Sequence, residues 1–147
     1  EDKMKIIKPL NTDSVTNTIN NAILDNSLSN SIFIEDIYNQ DIYLEYNSIN
    51  SSIFQNMDLT QSNINTFSIT DTTFINCDLS NLDFNNILLR RVEFINCKLY
   101  ATQITNSIID HVYFKESNLN YINFHKSDFR NTCFDKTILT KTNSIGV

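Results

Sequence analysis

A five-residue period in the apolar residues is the feature that most constrains this fold. From Phe54 to Leu139, each of the eighteen positions spaced five residues apart holds a large apolar residue. An α-helix has a period of about 3.6 and a flat strand a period of about 2, so neither produces this pattern. We call these apolar positions the centres of the five-residue repeats. The residues between the centres are mainly polar, which predicts that only part of each repeat is buried.

A second series lies two residues before each centre and is mostly small. It includes Ser52, Thr72, Cys77 and Cys97, and in this register it also includes Phe67. In each repeat, two residues separated by two positions would face inward and the following residues outward. This pattern describes a short extended segment followed by a corner. Coiling such segments around one axis buries both series, while the backbone pairs with the coils above and below at about 4.8 Å. Each coil is then stabilised by its neighbours, as in solenoid proteins.

Residue types repeat best at an offset of twenty residues. This offset predicts that each coil contains four five-residue segments and therefore has four sides. One column is entirely phenylalanine and the adjacent column entirely leucine. We predict these ten residues as the structural core: Phe54, Phe74, Phe94, Phe114, Phe134, Leu59, Leu79, Leu99, Leu119 and Leu139.

The chain must form its corners almost without the usual turn residues. Pro9 and Gly146 are its only proline and glycine, whereas asparagine occurs 23 times. A polar composition of this kind could indicate disorder, but 41% hydrophobic content with 10 phenylalanines in regular spacing argues against it.

The repeats resemble the pentapeptide repeat family, in which a small residue and Asn or Asp precede Leu or Phe and two polar residues. Clear examples are Cys77-Asp78-Leu79-Ser80-Asn81 and Ser127-Asp128-Phe129-Arg130-Asn131. The resemblance covers about residues 22–142 and implies an all-β, right-handed quadrilateral β-helix of about six coils. Residues 1–21 are then expected to form a small N-terminal cap and residues 143–147 a C-terminal tail.

Extending the register toward the N-terminus places five apolar residues on the outside of the first coils. We call them the N-terminal apolar band: Ile23, Leu28, Phe33, Tyr38 and Tyr43. Two interpretations stay open, because the N-terminal segment could fold over the band as a cap, or the band could contact a partner or a second copy.

The last coil is expected to present core residues and unpaired backbone groups at its outer edge. The residues concerned are Phe124, Phe129, Phe134 and Leu139. An end-to-end homodimer would cover this edge, and the family resemblance supplies a precedent for that arrangement.

Charge is distributed unevenly along the chain, whose net charge is −6. Residues 9–89 hold ten acids and no Lys or Arg, whereas residues 90–147 hold eight bases and five acids. Either the charges simply solvate the faces of a repetitive protein, or the acidic part engages a basic groove. The candidate acidic surface consists of Asp25, Glu35, Asp36, Asp41, Glu45, Asp58, Asp71, Asp78 and Asp83.

Catalysis finds little support in the sequence. His111 and His125 occupy outward positions outside any metal-binding spacing. Cys77 and Cys97, one coil apart in an inward column, are predicted to be buried thiols. Cys133 should be partly exposed, with no base placed to activate it. We therefore predict a protein that is not an enzyme and has no cofactor, metal or direct contact with nucleic acid.

The sequence favours a protein-interaction module with an unnamed partner. The family resemblance implies an alternative, a DNA mimic that binds a bacterial type II topoisomerase, either DNA gyrase or topoisomerase IV. Two features depart from that pattern: the uninterrupted repeats leave no projecting loop, and the basic half would lie at the centre of a C-terminal dimer.

Three features predict a cytoplasmic protein without a membrane segment. No apolar run approaches the roughly 18 residues of a membrane span. The N-terminus lacks the apolar stretch of a signal peptide. The three cysteines, an odd number, fit reduced thiols.

Overall fold

The computed structural model describes residues 33–35, 43–45, 48–60, 63–144 and 146. None of these residues lies in a helix, and so none belongs to a helix that could cross a membrane. The strands within these described residues are β1 Phe33–Glu35, β2 Tyr43–Glu45, β3 Ser48–Asn50, β4 Ile53–Gln55, β5 Asn63–Asn65, β6 Ser68–Ile75, β7 Asp83–Asn85, β8 Leu88–Ile95, β9 Gln103–Thr105, β10 Ile108–Lys115, β11 Asp128–Arg130 and β12 Cys133–Asp135.

Every strand pairs in parallel with a strand twenty residues away. Phe54 pairs with Phe74, Phe74 with Phe94, and Phe94 with Phe114. The molecule is therefore the predicted all-β solenoid with four segments in each coil. The described residues make about four turns, fewer than the six predicted, because the N-terminal coils fall largely outside the described ranges.

The four sides differ in how regularly they pair. The side that carries the phenylalanine column, called the Phe side, contains β1, β4, β12 and the second halves of β6, β8 and β10. The fourth side contains β3, β11 and the first halves of β6, β8 and β10. The Leu side pairs only through single bridges that join Asp58, Asp78, Lys98, Asn118 and Ile138 in order. The third side holds β2, β5, β7 and β9.

The corners are formed by residues in the left-handed backbone conformation. In the part of the chain that the structure describes, seventeen non-glycine residues have positive φ, nearly all between 47° and 57°, and each lies two positions after a centre. Asn and Asp visit this region at lower cost than other L-residues. The corners thus explain how the chain turns without glycine, and Asn occupies seven of them: Asn56, Asn76, Asn81, Asn86, Asn96, Asn106 and Asn131.

The core is a filled stack of side chains. Consecutive phenylalanine rings from Phe54 to Phe134 lie 4.9–5.1 Å apart and are close to parallel. Of the ten predicted core residues, eight are buried. Phe134 and Leu139 are partly exposed because they lie in the last described coil, as the sequence predicted for that edge.

The prediction that Phe67 faces inward is wrong. Phe67 is 69% exposed, and Thr66 is buried in its place. The Thr66 hydroxyl donates to the backbone oxygen of Ser68 at 3.0 Å and accepts from the Ser68 N–H at 3.4 Å. A hydroxyl can satisfy backbone groups at a corner in this way, whereas a phenyl ring offers them no polar atom.

Candidate functional site

Four acids of the predicted acidic surface, Asp58, Asp71, Asp78 and Asp83, lie on three different parts of the solenoid. Asp58 and Asp78 lie on successive coils of the Leu side, Asp83 lies on the third side, and Asp71 lies at the corner before the Phe side. The hydroxyl and N–H of Thr60 donate to the Asp58 carboxylate and lower its pKa. These acids therefore do not form one continuous acidic face.

The N-terminal members of both predicted surfaces are only partly described. Glu35 and Glu45 end β1 and β2, and Phe33 and Tyr43 begin them. The pairing of Phe33 with Ile53 and of Tyr43 with Asn63 agrees with the register used to define the N-terminal apolar band. The remaining members lie outside the described residues: Asp25, Asp36, Asp41, Ile23, Leu28 and Tyr38.

Basic side chains on the fourth side and at the corner that follows it bind acids of neighbouring coils. Arg91 binds Asp71 through two hydrogen bonds of 2.5 and 2.8 Å, which raises the pKa of Arg91. Arg90 lies 3.1 Å from the Asp110 carboxylate. The change of charge sign near residue 90 is therefore compensated locally, by pairs twenty residues apart that the sequence analysis did not identify.

An apolar strip crosses the edge of the fourth side and was also missed. It consists of Phe67, Leu88 and Ile108, one on each of three successive coils. The Leu88 N–H donates to the Phe67 backbone oxygen at 2.9 Å, and Leu88 pairs with Ile108 in the ladder. Leu88 is half-buried and Ile108 is 37% exposed. The strip escaped prediction because the five-residue register placed Phe67 inside.

A second apolar surface lies at the outer edge of the last described coil. An open depression of about 350 Å³ is bordered by Phe124, Phe129, Phe134 and Leu139. On the Leu side of the same coil, Ile138 is 52% exposed. The structure thus brings together all four residues predicted at this edge.

A family model described as a pentapeptide repeat region matches residues 47–124 and also residues 67–143. The chain belongs to the pentapeptide repeat family. A search of curated proteins found no match.

The histidines and cysteines of this pentapeptide repeat protein form no metal-binding group among the described residues. His111 lies 3.8 Å from the Asp110 carboxylate, and His125 lies on the third side two coils below Asn85. Among the described residues, no three His, Cys, Asp or Glu side chains are grouped to hold a metal ion. Cys77 and Cys97 are buried and Cys133 is half-buried.

Tyr113 and Asp135 form a polar contact between two coils of the Phe side. The Tyr113 hydroxyl donates to the Asp135 carboxylate at 2.9 Å, and this bond raises the pKa of Tyr113 to about 12. The contact is partly exposed and joins β10 to β12.

Proposed function

We propose that this pentapeptide repeat protein is a non-enzymatic protein-interaction module. The observation that carries the proposal is the apolar strip of Phe67, Leu88 and Ile108. Phe67 is the most exposed large apolar side chain of the described surface, and apolar side chains exposed on successive coils favour a contact site.

The strip lies on a rigid support. Its three residues are joined through parallel pairing and the hydrogen bond from Leu88 to Phe67. Beneath it the inward residues Ile69, Leu89 and Ile109 are buried. A surface that is already ordered loses little conformational entropy on binding, which favours recognition by a protein partner.

Affinity capture with matched variants tests this proposal. The double variant Phe67→Ser with Ile108→Ser removes the strip, whereas Tyr100→Ser removes from the Leu side an aromatic residue whose exposure of 39% is close to the 37% of Ile108. We expect a partner that is retained by the unchanged protein and by Tyr100→Ser but lost by the double variant. Equal retention by all three proteins would contradict a role for the strip.

The outer edge of the last described coil supports a further part of the proposal, end-to-end self-association. Phe134, Ile138 and Leu139 are exposed there beside the apolar depression. A second copy is a suitable occupant, because its own outer edge presents the same apolar residues.

A DNA mimic that binds gyrase or topoisomerase IV is the alternative function. It is supported by Asp58, Asp78 and Asp83, which form no ion pair with any described residue. Inhibition of supercoiling by purified gyrase, or protection of gyrase from quinolones, would be expected at micromolar protein. The triple change to asparagine should weaken the effect, and a protein without any effect would rule this alternative out.

A further inference from the structure

The outward side chains of the Phe side form two columns that run along the rod. We call them the Phe-side outer face. They are Ile53, Thr73, Glu93 and Tyr113 in one column and Gln55, Ile75, Ile95 and Lys115 in the other. The three isoleucines are half-buried, so the face combines apolar surface with few charges.

Glu93 is the exceptional residue of this face. It is only 9% exposed, and it pairs in the ladder with Thr73 on one coil and Tyr113 on the next. The Tyr113 hydroxyl donates to Asp135 rather than to Glu93. No Lys or Arg among the described residues forms an ion pair with Glu93. A carboxylate so largely removed from water is stabilised by a paired cation, so the face presents a site for an ammonium or guanidinium group.

Residues 3–8 carry basic and apolar side chains that complement this face. The stretch reads Lys-Met-Lys-Ile-Ile-Lys and contains every Lys and Arg that precedes Arg90. It lies outside the described residues. The neighbouring base Arg91 binds Asp71 instead of Glu93. The lysines of residues 3–8 are therefore suitable partners for the carboxylate, and their apolar neighbours suit the isoleucines.

An extended segment laid over β8 matches the spacing of its outward side chains. Glu93 and Ile95 lie two positions apart on β8, and side chains of an extended chain repeat with the same period of two. When Lys8 lies over Glu93, Ile6 lies over Ile95. The lysine methylenes can cover apolar surface while the ammonium group reaches the carboxylate.

The alternation of residue types favours Lys8 over Lys5 as the partner. With Lys8 directed to the face, the other side chains on the same edge of the segment are Ile6 and Met4, both apolar. With Lys5 directed to the face, Lys3 faces it as well, although Glu93 offers one carboxylate. The first arrangement buries apolar side chains and leaves no second lysine against the isoleucines.

The chain is long enough to make this contact within one molecule. Phe33 pairs with Ile53 at the start of the Phe side, three coils from Glu93, which amounts to about 14 Å. Even if the coils begin at Ala22, as the register predicts, the fourteen residue steps from Lys8 to Ala22 span up to about 45 Å. Attachment within one chain also raises the local concentration of the segment to the order of millimolar.

We propose that residues 3–8 dock as an extended segment on the Phe-side outer face of their own chain. The Lys8 ammonium group pairs with the Glu93 carboxylate, and Ile6 packs on Ile95. The segment thus covers an apolar side of the solenoid, and it lies along the rod rather than over the edge of the first coil.

Zero-length cross-linking of the full chain tests the ion pair. A carbodiimide joins a carboxylate to a lysine amine that is in direct contact with it, and mass spectrometry of the digested protein identifies the joined residues. We expect Glu93 to be joined to Lys8. In an equal mixture of unlabelled and heavy-nitrogen-labelled chains, the joined peptides should carry one isotope only. Peptides that combine both isotopes would assign the face to a second copy, and a link from Glu93 to Lys115 alone would also overturn the proposal.

Charge variants of the full chain provide the second test, with NMR contacts between the Ile6 and Ile95 methyl groups as the readout. Glu93→Gln keeps the shape of the side chain, so circular dichroism should be unchanged while these contacts are lost. Lys8→Glu should lose them too, and Lys8→Glu combined with Glu93→Lys should restore them. Lys5→Glu is the matched control and should retain them, because Lys5 faces away from β8.

Two results of these NMR measurements would contradict the docked arrangement. Loss of the methyl contacts in Lys5→Glu as well as in Lys8→Glu would show that the general charge of the segment matters and not one ion pair. Contacts of Ile6 with Phe33 or Tyr43 in place of Ile95 would show that the segment covers the first coils as a cap.

Discussion

Corner residues show how single side chains determine this fold. The corner between the Leu side and the third side contains Asn81, Ala101 and Tyr121 on successive coils, all with positive φ. Asn accommodates this conformation through local hydrogen bonding, whereas Ala does so only at a cost in backbone energy. The same corner thus contains both a favourable residue and unfavourable ones.

Exchanging residues at this corner should change stability in opposite directions. Ala101→Asn should raise the free energy of unfolding by about 0.5–1 kcal/mol, and Asn81→Ala should lower it by a similar amount. Urea unfolding followed by circular dichroism measures both effects. Two changes of the same sign would contradict the assignment of the corner conformation.

Core phenylalanines are the residues on which the stack depends. Phe94 lies 5.0 Å from Phe74 and 5.1 Å from Phe114, ring centre to ring centre. Phe94→Asp removes both contacts and buries a charge, so it should cost at least about 3–5 kcal/mol and unfold much of the protein. The midpoint of denaturant unfolding is the measurement.

Asn96 is the matched control for Phe94, two residues away at an exposed corner. Its amide donates to the Asn76 side-chain oxygen at 2.7 Å. Asn96→Asp should cost no more than about 1 kcal/mol, because only a solvent-exposed hydrogen bond is lost. Similar destabilisation at the two sites would disprove the five-residue register.

Among the structural elements, the small-residue columns join one coil to the next. Ser117 accepts a hydrogen bond from the Cys97 N–H at 3.0 Å and donates to the Phe94 and Lys115 oxygens. Ser107 and Ser127 form equivalent bonds at another corner. These hydroxyls satisfy backbone groups that the strand ladders leave unpaired at corners.

Removal of one such hydroxyl should be costly despite its small size. Ser117→Ala leaves the buried Cys97 N–H without its acceptor, so the free energy of unfolding should fall by about 1–3 kcal/mol. Ser117→Cys should recover part of this loss, because a cysteine sulfur can weakly accept from the Cys97 N–H and its thiol can donate to a backbone oxygen as the Cys97 thiol does. Thermal unfolding of both variants provides the comparison, and a neutral Ser117→Ala would show that the column acts only through packing.

For the whole molecule, the size in solution distinguishes a single rod from an end-to-end dimer. Sedimentation equilibrium should give twice the 17.0 kDa of one chain. Ile138→Asp and Leu139→Asp together should return the mass to that of one chain, because charges repel at an apolar contact. A monomer at all concentrations would exclude self-association and also the long dimeric rod required by the DNA mimic.

Much of the architecture could be predicted because each repeat carries the same information. The register of twenty, the Phe and Leu columns and the shared column of Cys77 and Cys97 all follow from matching residues at a fixed offset.

Other features depend on contacts that a repeating pattern does not encode. The outward position of Phe67 arises from local bonds of Thr66, and the pairs Arg91–Asp71 and Arg90–Asp110 arise from rotamers on adjacent coils. The apolar strip and the local charge balance were therefore missed.

The sequence by itself determined the solenoid, since a period of five leaves one way to bury two inward residues in every five. It also determined which residues share a column, because the offset of twenty fixes the pairing of successive coils. Only the tertiary structure decided which surfaces these columns expose. Exposure depends on how each corner turns and on which side chains of neighbouring coils bind one another, and both are set by packing in three dimensions.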